Sequence, residues 1–358
     1  MTKHIKENDR LRKLVESFPK LTVTVLADLV ADEFVFGEIS RVSREAPVLI
    51  LKHRDRKVVP GGGANAIYNL ADLGVNVLPV GIVGDDEPGR LLLRAFRHKR
   101  IPVSGVFKDK SYTTVTKTRI LAGFAHTAGQ QVVRLDREPS DGPNSHLRRE
   151  IVLATREYTR ASDALLVSDY GYGCATPALL NVIREKRGIE KVPVTLDSRY
   201  RMLEFSGITA ATPNESEVEA VLGIRLGYGK GKGNDNDNHN DNEWQRLVAA
   251  GDQIVGEMNL EALLITRGKD GMVVFPRRHK PTDIPIHGSD EVADVTGAGD
   301  TVIATFTAAL AAGATAEEAA HLANYAGGIV VMKRGTATVS QQELLDALDR
   351  EPPVAREH

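Results

Sequence analysis

The chain has 358 residues, with 46 Lys+Arg against 48 Asp+Glu and a formal charge of −2 with histidine neutral. That balance argues against a broad grip on a nucleic-acid backbone, and 42% hydrophobic with 26% charged residues argues against wholesale disorder. The single cysteine, Cys174, excludes an intrachain disulfide and a multi-cysteine zinc or iron–sulfur site. No apolar run approaches the ~20 residues that span a bilayer. The charged N-terminus, residues 1–18, lacks the apolar centre of a signal peptide. The expectation is a soluble, cytoplasmic protein with no nucleic-acid or membrane partner.

Leu11, Leu14, Val15 and Phe18 recur at helical spacing and Pro19 ends the pattern, so residues 1–20 predict a helical extension. Leu21 to Leu26 is β-branched and nearly continuous, a buried strand. Residues 33–59 mix alternating apolar residues with charges, which suits strands with one wet face. Gly61-Gly-Gly-Ala-Asn65 opens a helix over 65–73, closed by Gly74. A strand at 77–83 and a helix at 89–99 follow. A hairpin is predicted from 113–121 and 130–135, joined by a Gly/His/Ala loop at 123–129. Then come helix 145–160, strand 164–168, helix 176–187, strand 192–196 and helix 215–222. The β-α-β-α rhythm implies a largely parallel sheet with helices on both faces.

Residues 229–242 contain no apolar side chain and predict a disordered insert. Their acidic spacing suggests a calcium loop, but Asn240 stands where the turn glycine belongs and Arg246 where the bidentate glutamate belongs. Helix 243–258, strands 262–265 and 272–275, and a glycine-rich turn at 294–300 come next. Two C-terminal helices are predicted, 300–312 and a second from the capping box Thr315–Glu318 to about Lys333. The whole reads as one α/β domain over 21–350, an α/β/α sandwich with a mostly parallel sheet and a small β-lid from 33–59 and 111–136.

The chemistry is concentrated in Asp294-Val-Thr-Gly-Ala-Gly-Asp300, followed by a strongly apolar helix. Small residues let the backbone approach a ligand, and first-turn amides without helical partners form an anion site. A carboxylate beside that site, Asp300, suits phosphoryl transfer: the amides take charge from the γ-phosphate and the carboxylate accepts a hydroxyl proton. The structural alternative is a glycine-rich turn with an aspartate cap. A helix N-terminus also lowers a carboxylate pKa, so the position predicts a weakened base.

Asp294–Asp300 with its helix resembles the C-terminal signature of the PfkB (ribokinase-like) carbohydrate kinases. Pro60-Gly-Gly-Gly-Ala-Asn65 resembles their GG-x-x-N signature, Asn214 and Glu217 their N-x-x-E motif, and Thr266-Arg-Gly-Lys-Asp-Gly271 their T-x-G-x-x-G loop. The four motifs occur in family order over about residues 22–346. The resemblance implies the ribokinase-like three-layer fold, ATP and Mg2+, and in-line attack of a sugar hydroxyl on the γ-phosphate. It implies Asp300 as base and Gly297, Ala298 and Gly299 as the anion hole. Asp32, Gly62, Gly63 and Asn65 are implied at the sugar. Asn214, Thr266, Gly268, Gly271 and Asn324 are implied at the nucleotide, and Glu217 at Mg2+ with its waters. Asp294 and the Thr296 carbonyl match a monovalent-cation (K+) position. Simpler readings stand beside these: a helix cap for Asn65, a strand-end turn for Asp32, a solvated helix residue for Glu217, a solvent-facing side chain for Asn324.

Ser40–Val48, Thr116–Arg119, Val133–Asp136, Ser168–Tyr170 and Gly335–Ser340 are most similar to the branch that phosphorylates D-glycero-D-manno-heptose 7-phosphate at its anomeric hydroxyl. Lys117, Arg119, Arg134 and Arg199 would then meet the sugar phosphate; their bland reading is solvated surface. Three departures bear on substrate. The first strand ends Ala27-Asp28 rather than Gly-Asp, Tyr172 stands where that branch carries lysine, and Asp197-Ser-Arg199 replaces Asp-Pro-Lys. Many relatives in that branch carry a nucleotidyltransferase domain; with His358 soon after the kinase motifs, that activity is not expected here. Competing readings are a fructose, ribose or nucleoside kinase on the same scaffold, and a non-catalytic sugar- or nucleotide-binding protein. A dehydrogenase or Walker-type NTPase is disfavoured, since neither G-x-G-x-x-G after the first strand nor G-x4-G-K-[ST] occurs. The resemblance also implies a homodimer paired through the lid.

Overall fold

The computed structural model describes residues 2–123, 130–184, 192–227, 238–288, 294–333 and 335–350, with side chains left out for 2–7 and 238–242. In chain order the strands are β1 Thr22–Ala27, β2 Leu29–Val42, β3 Leu49–Gly62, β4 Asn76–Gly84, β5 Val106–Asp109, β6 Val115–Gly123, β7 Gln130–Arg137, β8 Ala164–Asp169, β9 Val194–Ser198, β10 Ala210–Ala211, β11 Ala262–Thr266, β12 Met272–Pro276 and β13 Thr282–Ile284. The helices are α1 Thr2–Ser17, α2 Gly63–Asp72, α3 Glu87–His98, α4 Ser145–Thr159, α5 Pro177–Arg184, α6 Glu215–Leu222, α7 Asn238–Met258, α8 Ala298–Ala311, α9 Ala316–Val331 and α10 Gln341–Arg350.

Nine strands form one sheet in the order β13-β12-β11-β10-β9-β8-β1-β4-β5. Its pairings are parallel except those of β12 with β11 and β13. Alternation along each strand divides the apolar side chains between two cores. In β8, Ala164 and Leu166 join one core with α2, α8, α9 and α10, including Ile67, Phe306 and Leu344. Leu165 and Val167 join the other, with α4, α5 and α7, including Ile151, Leu180 and Ile254. The result is the expected three-layer sandwich, and helix α1 is tied to it through buried Leu11, Leu14, Val15 and Phe18.

Strands β3-β2-β6-β7 form a separate four-stranded sheet over one end of the sandwich. Only the β2·β6 pairing is parallel. This is the lid expected from 33–59 and 111–136, though each strand pair reaches a few residues further. Residues 124–129, most of the expected hairpin loop, lie outside the described residues.

Helix α7 begins at Asn238, inside the stretch read as a disordered insert, and 228–237 lie outside the described residues. Between the second C-terminal helix and the end lies a third, α10, whose entry Ser340–Glu343 is tied by side-chain bonds to backbone. It was not expected because its charged pattern has only Leu344, Ala347 and Leu348 to bury. Among the described residues no helix is long and apolar enough to cross a membrane.

Candidate active site

The C-terminal ends of the parallel strands and the inner face of the lid enclose one cavity, where open α/β sheets place ligands. Its volume is about 480 Å3, and its walls include Asp300, Tyr170 and Thr266 from the sandwich and Asp32, Lys117 and Arg119 from the lid. The lid register explains the second group. Asp32 lies beside Lys117, and Phe34 beside Arg119, which in turn pairs with Arg134. Period-two alternation therefore sends Asp32, Lys117, Arg119 and Arg134 to one face.

Asp300 stands in the first turn of α8 and is 4% exposed. Gly297 caps that helix at φ +81°, and a Cβ there would come within 2.6 Å of the Asn65 amide, so the turn demands glycine. No side chain caps the helix. The Ala298 N–H turns back to the Val295 carbonyl at 3.2 Å, and Thr301 makes the first intrahelical bond, to Gly297 at 3.2 Å. The Gly299 and Asp300 amides lie between, and a Cβ on Gly299 would meet nothing within 4 Å. The open helix end is thus suited in geometry and dipole to an anion. Of the three residues expected to form it, Ala298 spends its amide inside its own turn.

Both oxygens of the Asp300 carboxylate are held. Asn65 Nδ2 donates to Oδ2 at 3.0 Å, and the Tyr170 hydroxyl donates to Oδ1 at 2.7 Å. Burial raises this carboxyl to about 7, while the two hydrogen bonds pull the other way. The sequence position predicted a lowered pKa; the reverse holds because lost hydration outweighs the helix end. A carboxyl poised near 7 suits proton abstraction from an alcohol.

Asp32, 4% exposed, accepts from Arg119 at 2.5 Å and from the Thr336 hydroxyl at 3.0 Å. It lies against Gly61, where a Cβ would meet its Oδ2 at 2.3 Å. Gly62 lines the cavity, but Gly63 does not: a Cβ there would strike Ala27 at 2.5 Å, so this glycine serves helix–sheet contact. Asn65 likewise reaches Asp300 rather than the cavity wall.

Lys117 is 7% exposed, with its ammonium 5.0 Å above the Tyr170 ring. Burial and nearby Arg199 hold its pKa below the ordinary value. Arg134 pairs with Asp136 at 2.5 Å. Arg199 extends from the end of β9 into the same cavity.

A second, apolar cavity of about 150 Å3 is lined by Gly268, Gly271, Met272, Ala298, Val302 and Asn324, among others. Asn324 is anchored there by donating to the Pro285 carbonyl at 2.8 Å. The two cavities share Thr266, Val295 and Gly299. They therefore meet at the open end of α8.

Asn214 and Glu217 form a reciprocal capping box, each side chain accepting from the other's backbone at 2.9 Å. Both still line the larger cavity, beside Asp197. Burial and the Glu217 charge push Asp197 well above its usual range, and burial raises Glu217. Asp294 accepts from the Thr296 amide at 2.9 Å and the Gly335 amide at 3.0 Å. Burial opposes its ionisation, but these bonds leave the carboxyl below its ordinary value.

Residues 30–343 match the family described as pfkB family carbohydrate kinase. The chain belongs to the PfkB family. A bifunctional protein HldE from Geobacter metallireducens is 39% identical over 342 residues, covering 94% of this chain and 66% of that protein. One from Actinobacillus succinogenes is 38% identical over 336 residues, covering 92% and 64%. The chain thus spans 64–66% of the length of these curated relatives. Arabidopsis thaliana ribokinase complexed with ribose and ATP superposes with a TM-score of 0.69 at 20% identity, over 92% of this chain and 99% of that one. Escherichia coli phosphofructokinase-2 in complex with potassium gives 0.71 at 17% identity, over 92% and 99%. These likenesses establish the ribokinase-like fold.

Four residues of this PfkB site escaped the sequence reading. Tyr170 lay in a recognised stretch without a role. Asp197 was noted only as a departure, Thr336 lies 304 residues from the Asp32 it touches, and Gly61, read as opening a helix, lies in strand β3 beside Asp32. Asp28, in the Ala27-Asp28 departure, accepts backbone N–H groups from Tyr170, Tyr172, Cys174 and Ala175 at 2.8–3.4 Å. It shapes the loop that carries Tyr170.

Proposed function

We propose that the chain is an ATP-dependent sugar kinase whose acceptor is a phosphorylated sugar, best fitted by D-glycero-D-manno-heptose 7-phosphate, and that the phosphoryl group goes to its anomeric hydroxyl. One observation carries this reading: Lys117, Arg119, Arg134 and Arg199 converge on the cavity that holds Asp300. Arg119 and Arg134 already pair with Asp32 and Asp136, and a phosphate dianion would give Lys117 and Arg199 a matching charge, by the Arg fork and the Lys ammonium. Tyr172, which replaces an expected lysine, donates instead to Glu138 at 2.9 Å and adds no charge. The sequence likeness to heptose 7-phosphate kinases supplies the sugar.

In this mechanism Asp300 accepts the hydroxyl proton, and the Gly299 and Asp300 amides receive the charge of the transferring phosphoryl group. Asp32 orients the sugar by its hydroxyls. The apolar cavity around Val302 and Met272 takes the base of ATP. The acidic pair Asp197 and Glu217 suits a divalent cation, whose charge would relieve their crowding. Among the described residues no three acidic, His or Cys side chains cluster to hold a metal alone. Glu217 would therefore hold Mg2+ through water and phosphate oxygens, and Mg2+ would neutralise charge on the phosphates. Asp294, kept ionised, and the Thr296 carbonyl suit a monovalent cation that steadies the turn before α8.

The lid leaves Val133 52%, Leu135 59% and Leu49 45% exposed, an apolar face suited to a second copy. A homodimer by light scattering at micromolar protein is expected. For the acceptor, ATP consumption is measured with heptose 7-phosphate, free heptose, fructose, ribose and nucleosides. The expected kcat/KM for the phosphorylated heptose exceeds that of the others by ~100-fold or more, since each hydrogen bond to a charged group contributes ~1.5–3 kcal/mol. A free hexose, pentose or nucleoside turned over as well would refute it.

A further inference from the structure

Tyr170 occupies an unusual place. Its backbone N–H is fixed by Asp28 Oδ2 at 3.0 Å. Its ring lies between the Lys117 ammonium, 5.0 Å from the centroid, and Gly62, where a Cβ would stand 3.2 Å from the ring. Its hydroxyl reaches Asp300 Oδ1 at 2.7 Å. Backbone, ring and hydroxyl are thus each located by a different element: the end of β1, the lid and α8. With Asn65 on the other oxygen, the carboxylate has two donors from two directions.

We infer that Tyr170 is a positioning residue for the phosphoryl-transfer step: its phenol keeps the Asp300 carboxylate ionised and turns its remaining lone pairs toward the acceptor hydroxyl. The physical argument is one of balance. A carboxylate withdrawn from water favours its neutral form, and only donors aimed at the charged form oppose that. Asp32 and Asp197 add negative charge nearby; Lys117 adds positive charge. Asn65 and Tyr170 are the two side chains bonded to the carboxylate itself. Burial and Asp300 hold the phenol pKa far above neutrality, so Tyr170 remains a donor throughout any assay range. Asp197 and Glu217 are also raised in this cavity, so a limb that moves with the Tyr170 hydroxyl, which bonds Asp300, is what marks Asp300 as the group titrating.

This inference rests on Asp300 as base, and the experiment separates the two. The readout is kcat/KM for the best acceptor against pH, in wild type, Tyr170→Phe, a form with ring-fluorinated tyrosine at 170, and Asp300→Asn. Tyr170→Phe keeps the ring and Lys117 contact and removes only the hydroxyl. The acid limb is expected to move up by about one pH unit, the scale of one lost hydrogen bond to a charged group. Activity above that limb returns to within a few-fold of wild type, and KM for ATP stays constant. The fluorinated phenol, a stronger donor of nearly the same shape, moves the limb down. An equal loss at every pH in Tyr170→Phe, or an unmoved limb in both variants, overturns the inference while Asp300→Asn remains inactive. Activity in Asp300→Asn instead overturns the base assignment beneath it. Should Tyr170→Phe fail to fold, the fluorinated form decides alone.

Discussion

Gly61→Ala tests how the acceptor carboxylate is held. Gly61 lies in strand β3, paired with Val30 in extended backbone, so alanine costs little in conformation and gains slightly in chain entropy. The obstacle is local: the new Cβ would stand 2.3 Å from Asp32 Oδ2 and 2.5 Å from its Cγ. Those separations are more than an ångström inside van der Waals contact, and the carboxylate must swing away. Doing so breaks the Arg119 bond of 2.5 Å or the Thr336 bond of 3.0 Å and spoils the alignment of the other. With bonds to a charged group at ~1.5–3 kcal/mol, losing one to both gives about 1.5–6 kcal/mol, or at least roughly 10-fold in acceptor kcat/KM. Initial rates at saturating ATP, with a melting curve of each protein, measure this. KM for ATP should stay near wild type, while the melting temperature falls by a few degrees because the same bonds join lid strands and tie the lid to the sandwich in the free protein. An acceptor kcat/KM within three-fold of wild type would show that Asp32 does not grip the sugar from this position.

Further outcomes are expected. Asp300→Asn should lower kcat by orders of magnitude while nucleotide still raises the melting temperature. In wild type, kcat/KM should climb with pH until the carboxyl at about 7 is ionised and level off above, because only the ionised form accepts the proton. The sign for stability is opposite: with the folded pKa above the unfolded 3.8, the native state binds more protons between these values, so this group lowers stability as pH rises through that window. Urea titrations of wild type and Asp300→Asn at pH 5 and 8 should show the variant gaining relative stability at the higher pH. Lys117→Ala and Arg199→Ala should each cut kcat/KM for a phosphorylated acceptor about ten-fold or more and leave the poor rate with the free sugar almost unchanged; equal losses on both would remove the phosphate-binding role. Asp28→Asn should cost about 2 kcal/mol or more in urea unfolding, since the Asn amide would face N–H groups that Asp28 now accepts.

What the sequence made legible follows period and local chemistry. β1, β8 and β11 are nearly continuous apolar runs, and such strands are buried on both faces. The turn before α8 was legible because small residues ahead of an apolar helix leave amides open. Short edge strands such as β5 and β13 have too few residues to show a period. The Asp300 pKa was misread because burial is a tertiary quantity: the helix end is visible in sequence, whereas the walls supplied by α2, the lid and the loop after β8 are not. Tyr170 and Thr336 were missed for the same reason. A tyrosine or threonine carries no spacing signal, and each reaches its carboxylate from a distant segment.

The narrow junction of Thr266, Val295 and Gly299 between the two cavities has a stereochemical consequence. On the proposed reading, ATP in the apolar cavity and the sugar in the larger one meet where the two share Thr266, Val295 and Gly299, and in-line transfer there passes through no phosphorylated side chain. The phosphorus should therefore change hands once, with its configuration inverted when a chiral thiophosphate is the donor. Labelled ADP should not exchange into ATP until the alcohol is present.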